Sequence, residues 1–305
     1  MLIIEKNVSK KRILCVILYI FVLFSILLIK NQYSSLLLKH SNYGMEALIS
    51  KGKIDYLFVG SSTFRQGLDI EVLEKELDND SYILTYNGNQ PCTEYIEIKK
   101  LIENNVSINN LFIDMYPITL CREPGLDDEK LLMELSIKEK CELYDLLSSK
   151  TPDVFWRTFI SSNNEQIITW PVNKYLVDTQ FKKGGTLVHN NGMSEEAYNS
   201  LPLYDFNGTI NSVQLDSLIG IIDLCHSNGI NLIFVETPKT DSIVMSAGYN
   251  DIMEQYERFL NEKNVSVVRY TGDGMQYSDF ADEIHLSFEG RMKFTKKLIE
   301  SYAME

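Results

Sequence analysis

Three short stretches of this chain hold residues that could do chemistry together. The first is Gly60-Ser61-Ser62-Thr63, with Gly67 shortly after. A serine placed where a strand turns into a helix exposes its hydroxyl and points its own backbone N–H into the same pocket. The helix N-terminus adds positive potential for a developing oxyanion. The same turn could bind phosphate through backbone amides, and Ser-Ser-Thr before a helix reads equally as a simple N-cap. The second stretch is Asn87-Gly88-Asn89-Gln90-Pro91. Gly88 would let the backbone approach a ligand closely, and Asn87 and Asn89 carry amide donors, although Asn-Gly also makes a plain turn. The third is Asp282-Glu283-Ile284-His285-Leu286-Ser287. An Asp three residues before a His can accept its Nδ1–H, leaving Nε2 free as a base. Against this, a lone His is commonly an ordinary surface or core residue, and Ser287 reads as a cap for the last helix.

Histidine is scarce: His40, His189, His226 and His285 are the whole supply. With His226 as the only other well-placed imidazole and no metal-type spacing among the cysteines, a metal site is not expected. Cys15 falls in an apolar run, and Cys92, Cys121, Cys141 and Cys225 form no CxxC pair. They read as free buried thiols or as disulfides of undetermined pairing. Cys92 is near the proposed pocket, but Ser62 has the better strand–turn–helix setting.

The elements that must position these residues follow from hydrophobic periodicity. Residues 55–60, 82–86, 110–115, 231–236 and 265–270 are short apolar runs that predict buried strands. Between them, residues 68–77, 95–102, 212–227, 250–262 and about 288–302 carry helical spacing. Strands alternating with helices imply a mostly parallel sheet covered on both faces, with any site at the carboxyl ends of the strands. The pattern lapses over about 118–210, which holds both tryptophans, Trp156 and Trp170, and reads as one long insertion or lid.

Composition narrows the class. The chain has 305 residues, 45% of them apolar, enough for a packed core, and its net charge is −13. A surface that grips nucleic acid should carry the opposite sign. One run departs from the average: residues 13–29 contain no charged residue and span about 26 Å as a helix, the short end of a bilayer core. Lys6, Lys10, Lys11 and Arg12 precede the run, whereas Lys30 and Lys39 alone follow in the next twenty residues. This bias puts residues 1–12 in the cytoplasm, a single-pass anchor at 13–30, a juxtamembrane segment at 31–53 and an extracytoplasmic domain at 54–305. A cleaved signal fits less well, because the run is too long and no A-x-A-like site follows; a buried core helix lacks its polar face.

Taken together, Gly-x-Ser after the first strand, Gly after the second and Asp-x-x-His before the last helix resemble the SGNH (GDSL-like) hydrolase superfamily. The specific part is VGSSTFRQGLD plus DEIHLSFEG, and the match covers the sheet-forming parts of residues 54–302. The resemblance implies a flavodoxin-like three-layer α/β sandwich with a mostly parallel sheet. It implies Ser62 as nucleophile with Ser61 in the family's Asp position, Asp282 and His285 as orienter and base, and oxyanion donors from the Ser62 and Gly88 amides. The family's Gly-x-Asn-Asp block is absent, since Ile113-Asp114-Met115-Tyr116-Pro117 stands there, so Asn87 or Asn89 would have to replace its side-chain donor. The implied activity is that of a membrane-anchored serine acyl-ester hydrolase or O-acyltransferase needing no cofactor. Its substrate or acceptor would be a cell-envelope polysaccharide or polymer, with a membrane-bound acyl-donor partner and no nucleic acid. The alternative is a non-catalytic envelope-assembly protein that keeps the fold without turnover.

Overall fold

Alternate residues of the central strands face opposite ways, and this period of two builds two separate cores. The computed structural model describes residues 2–39, 41–77, 80–161, 178–270 and 274–303. Strands β1 (Lys53–Gly60), β2 (Ser81–Thr85) and β3 (Ser107–Asp114) precede the insertion. A hairpin of β4 (Phe181–Lys182) and β5 (Gly185–Thr186) lies within it, and β6 (Asn231–Val235) and β7 (Ser266–Val268) follow. Seven helices matter here: α1 (Leu2–Leu38), α2 (Ser62–Gly67), α3 (Ile70–Leu77), α4 (Pro91–Glu103), α5 (Ser212–Asn228), α6 (Ala247–Glu262) and α7 (Phe288–Ala303). Leu57, Val59, Leu111, Ile113 and Phe234 pack with Ile98 and Leu101 of α4, Leu218 and Ile221 of α5 and Met253 of α6. Phe58, Phe112, Ile233 and Val235 pack on the opposite face with Phe64, Leu73, Phe294 and Leu298 of α2, α3 and α7. Each such side chain contributes roughly 1.5–3 kcal/mol by leaving water.

The five main strands are all parallel, in the order β2-β1-β3-β6-β7. Chain order therefore reverses between β1 and β3: the α2–α3 crossover covers one face and α4 the other. A crevice at the carboxyl ends of β1 and β3 is the consequence. The pairing Val59↔Ile113 sets the next residues, Gly60 and Asp114, level at that rim. Only glycine fits at position 60, because a Cβ there would lie 2.7 Å from the Asp114 Cβ.

The insertion is built into the body over part of its length. Leu131, Leu132, Leu135 and Leu143 are buried in the larger core, and the hairpin covers the edge of β2, where Ile83 N–H donates to the Lys183 carbonyl at 3.0 Å. Strand β7 is shorter than the sequence suggests, as Arg269 turns aside to pair with Glu236 and Glu257, each at 3.0 Å. Trp170 lies outside the described residues. Helix α1 contains one segment, Lys11–Lys30, long and apolar enough to cross a membrane, with none of it buried against the rest of the chain. The helix runs on without a break to Leu38, which is buried.

Candidate active site

The two serines of the first turn divide its possible tasks. Ser61 is the N-cap of α2: its Oγ accepts the Thr63 N–H at 3.3 Å and it is buried. Ser62, one residue on, is half-buried and leaves its hydroxyl toward the cleft. Its Oγ stands 2.8 Å from His285 Nε2. On the other side of the ring, His285 Nδ1 lies 2.8 Å from Asp282 Oδ2 and 3.0 Å from Oδ1. Oδ1 also accepts the N–H groups of Ile284 and His285, at 3.0 and 2.9 Å, so the carboxylate is fixed by its own loop. Burial pushes Asp282 upward, but the hydrogen bonds from the His285 ring and these two amides outweigh it and hold the group below the usual carboxylate range.

The histidine loop is itself anchored. An antiparallel bridge joins Phe280 to Leu286, and Ser287 N–H donates to the Asp279 carbonyl at 2.8 Å. Buried Asp279 pairs with Lys293 at 2.7 Å, and Ser287 Oγ accepts from Gly290 N–H at 3.2 Å, capping α7. The insertion also braces the site: Asn190 donates to Gln66 Oε1 at 2.6 Å, and its carbonyl accepts from Phe288 N–H at 3.0 Å. His189, exposed, stacks on Phe288 with ring centroids 3.7 Å apart.

Three donors were expected from the second turn, and the structure separates them. Gly88 has φ +60°, the left-handed conformation that favours glycine, and its N–H meets no acceptor among the described residues. Asn87 is exposed, and its Oδ1 accepts from the Arg65 guanidinium, which leaves the amide nitrogen without a partner among the described residues. Asn89 is a correction to the sequence expectation. It is buried, and its amide donates to the Gly60 carbonyl and to Glu97 Oε2, both at 3.3 Å. Its hydrogens are spent beneath the turn, tying the end of β2 to the end of β1. Burial, reinforced by Glu94, pushes the Glu97 carboxyl well above the usual carboxylate range.

A polar group beneath Ser62 went unforeseen. Asp114, buried at the end of β3, accepts from Ser61 Oγ at 3.3 Å, from Thr63 Oγ1, and from Thr237 Oγ1 at 2.9 Å. Lys239, also buried, donates to the Thr237 carbonyl at 2.9 Å and hydroxyl at 2.8 Å and lies over the Tyr116 ring. Burial pushes this ammonium down from its ordinary value, with Asp114 and Glu236 opposing. The available signal was position: Asp114 and Thr237 both stand at strand ends beside the reversal of chain order. Cys92 is buried, and desolvation, then Glu94, pushes its thiol up to about 12, which disqualifies it as a nucleophile. Among the described residues no cluster of three or more His, Cys, Asp or Glu is arranged to hold a metal ion.

No protein-family model matches the sequence, and no curated protein does. Among solved structures the chain is similar to a protein of Desulfitobacterium hafniense assigned to the G-D-S-L lipolytic family, at TM-score 0.41 and 10% identity, covering 81% of this chain and 98% of the other. It is also similar to a GDSL-like lipase of Bacteroides thetaiotaomicron, at TM-score 0.38 and 8% identity, covering 83% and 90%. A protein of Bacteroides fragilis assigned as an acylhydrolase gives the same TM-score and identity, covering 83% and 88%. At those values the likeness is one of general layout only. The fold class follows from this chain's own strand order: a three-layer α/β sandwich on a parallel five-stranded sheet, as the sequence leads one to expect.

Proposed function

We propose that this protein is a serine acyl-ester hydrolase or O-acyltransferase, anchored by α1, with its catalytic domain on the extracytoplasmic side and a cell-envelope glycan or polymer as its substrate. The observation that carries the reading is the continuous line from Ser62 Oγ through the His285 ring to Asp282, each step 2.8 Å. His285 Nε2 takes the Ser62 proton as Oγ attacks the ester carbonyl, and the developing oxyanion is met by the Ser62 and Gly88 N–H groups. Asp282 keeps Nδ1 protonated and stabilises the imidazolium. The imidazolium then protonates the departing alcohol, leaving the acyl group on Ser62. Water, or a hydroxyl of the acceptor, releases the acyl group with His285 again as base.

The Asn87 amide supplies the third donor, in place of the missing Asn of the family's third block, with Arg65 holding its carbonyl. Hydrolysis and transfer use every one of these groups and differ in whether water reaches the acyl-enzyme.

The test is labelling of the full chain in detergent with a fluorophosphonate probe. Labelling should vanish in Ser62→Ala and persist in Ser61→Ala. Equal labelling of both variants would remove Ser62 from its role, and an inert wild-type chain would favour a binding protein that has kept the fold without turnover.

A further inference from the structure

Helix α1 leaves its apolar span at Lys30, and the ammonium of that residue donates to the Ile160 carbonyl at 3.1 Å. Ile160 belongs to a π-helical turn, Arg157–Ser161, that continues directly from the short helix Pro152–Trp156. Around this point three aromatic side chains are exposed: Tyr33, three residues beyond Lys30 on α1, at 45%, and Phe155 and Trp156 at 48% and 56%. Phe155 is braced by Phe159 and Tyr144, with centroids 4.9 and 5.9 Å away, so this aromatic projection is stiff. Trp and Tyr favour the bilayer–water boundary, where an apolar ring and a polar edge are both accommodated.

The same segment is wired to the cleft. Arg157 pairs with Glu129 at 2.9 Å; the adjacent Asp128 accepts the Asn87 N–H at 3.1 Å, and Asp127 lies against Gly88. These contacts join the second turn to the end of the apolar span through Glu129 and its two neighbours. The headgroup layer on one side of a bilayer is roughly 5–7 Å deep.

We propose that Tyr33, Phe155 and Trp156 form an aromatic girdle seated in the headgroup layer of the bilayer that α1 crosses, and that the site so positioned takes its acyl ester from a lipid-linked molecule. The inference rests on the anchored-enzyme reading above and names its substrate class. The bilayer is the occupant because the patch is continuous with the end of the membrane span. A soluble ester gains nothing from this placement, whereas one carried on lipid is concentrated beside the cleft.

The chain has two tryptophans, so Trp170→Phe leaves Trp156 as sole emitter. The full chain is placed in phosphatidylcholine vesicles with or without a nitroxide on the headgroup. Trp156 should lose about half or more of its emission to the labelled lipid. If Trp170→Phe fails to fold, the difference between wild type and Trp156→Phe gives the same reading. Equal emission in both vesicles, with the chain floating alongside them, overturns the girdle while leaving the anchor intact. A chain that does not float overturns both. In a second arm, one acyl ester is offered on a vesicle lipid and in water-soluble form. The lipid-borne form should be preferred about tenfold or more in kcat/KM, with Trp156→Ser reducing only that reaction. No preference, or equal loss on both, overturns the lipid-linked substrate. Loss of Ser62 labelling, by contrast, bears on the enzyme reading and leaves the quenching result standing.

Discussion

Ser62 Oγ and His285 Nε2, 223 positions apart in the chain, stand 2.8 Å from one another at the mouth of the sheet. Their meeting depends on α2 and α7 sharing one core, in which Phe64 and Phe294 are both buried. The same proximity orders the rest of the site, because Asp282 reaches the histidine from its own loop.

Asp282→Asn should lower turnover by about two to four orders of magnitude while leaving the far-ultraviolet circular dichroism unchanged, since an amide favours the wrong imidazole tautomer. The Asp282 carboxyl is held below its ordinary range in the folded state. Its contribution to stability is therefore present above that range and disappears as pH falls through the folded value. Because this side chain is 56% exposed, the contribution is small. Steady-state kinetics together with acid titration of wild type and variant check both points.

Asn87 and Asn89 should differ in kind when changed to alanine. In the proposed mechanism the Asn87 amide is an oxyanion donor, so its removal should lower kcat by about 10²-fold with KM nearly unchanged and stability unaffected. Removing Asn89 unties Gly60 from Glu97 and leaves buried polar atoms unpaired, costing about 1–3 kcal/mol in denaturant unfolding as well as activity. Parallel kinetics and unfolding curves separate the two.

Asp114→Asn should be strongly destabilising, by roughly 3 kcal/mol, because Lys239 loses the one carboxylate in its hydroxyl network while remaining buried. Ser61→Ala should cost only about 1 kcal/mol, the value of an N-cap, and should keep the Ser62 nucleophile reactive. Urea midpoints for the two variants, with fluorophosphonate labelling, test this ranking.

Stability should fall as the solution is made less acidic between about pH 4.5 and about pH 7. Burial raises Glu134 to about 7, against the hydrogen bonds from Tyr86 and the Glu46 N–H. Across that window the folded chain keeps a proton that the unfolded chain has released, so each step up in pH favours unfolding. Glu134→Gln should flatten the decline by about 1–3 kcal/mol, read from urea unfolding of the detergent-solubilised chain at several pH values.

Local order and the candidate triad were legible in the sequence because their signals are local. A two-residue period marks a strand, helical spacing marks a helix, and Asp-x-x-His places acceptor and ring within one loop. The apolar span of α1 is likewise a property of consecutive residues. Tertiary structure decided which side-chain amide is left exposed: Asn87 and Asn89 are chemically identical and two positions apart, yet one is exposed and the other is drawn under by Gly60 and Glu97. It also decided the role of Asp114, whose partners Ser61, Thr63 and Thr237 come from two other strand ends. Hydrogen bonds between distant segments depend on register and on crossover direction. No window of neighbouring residues encodes either, so only the assembled sheet could fix them.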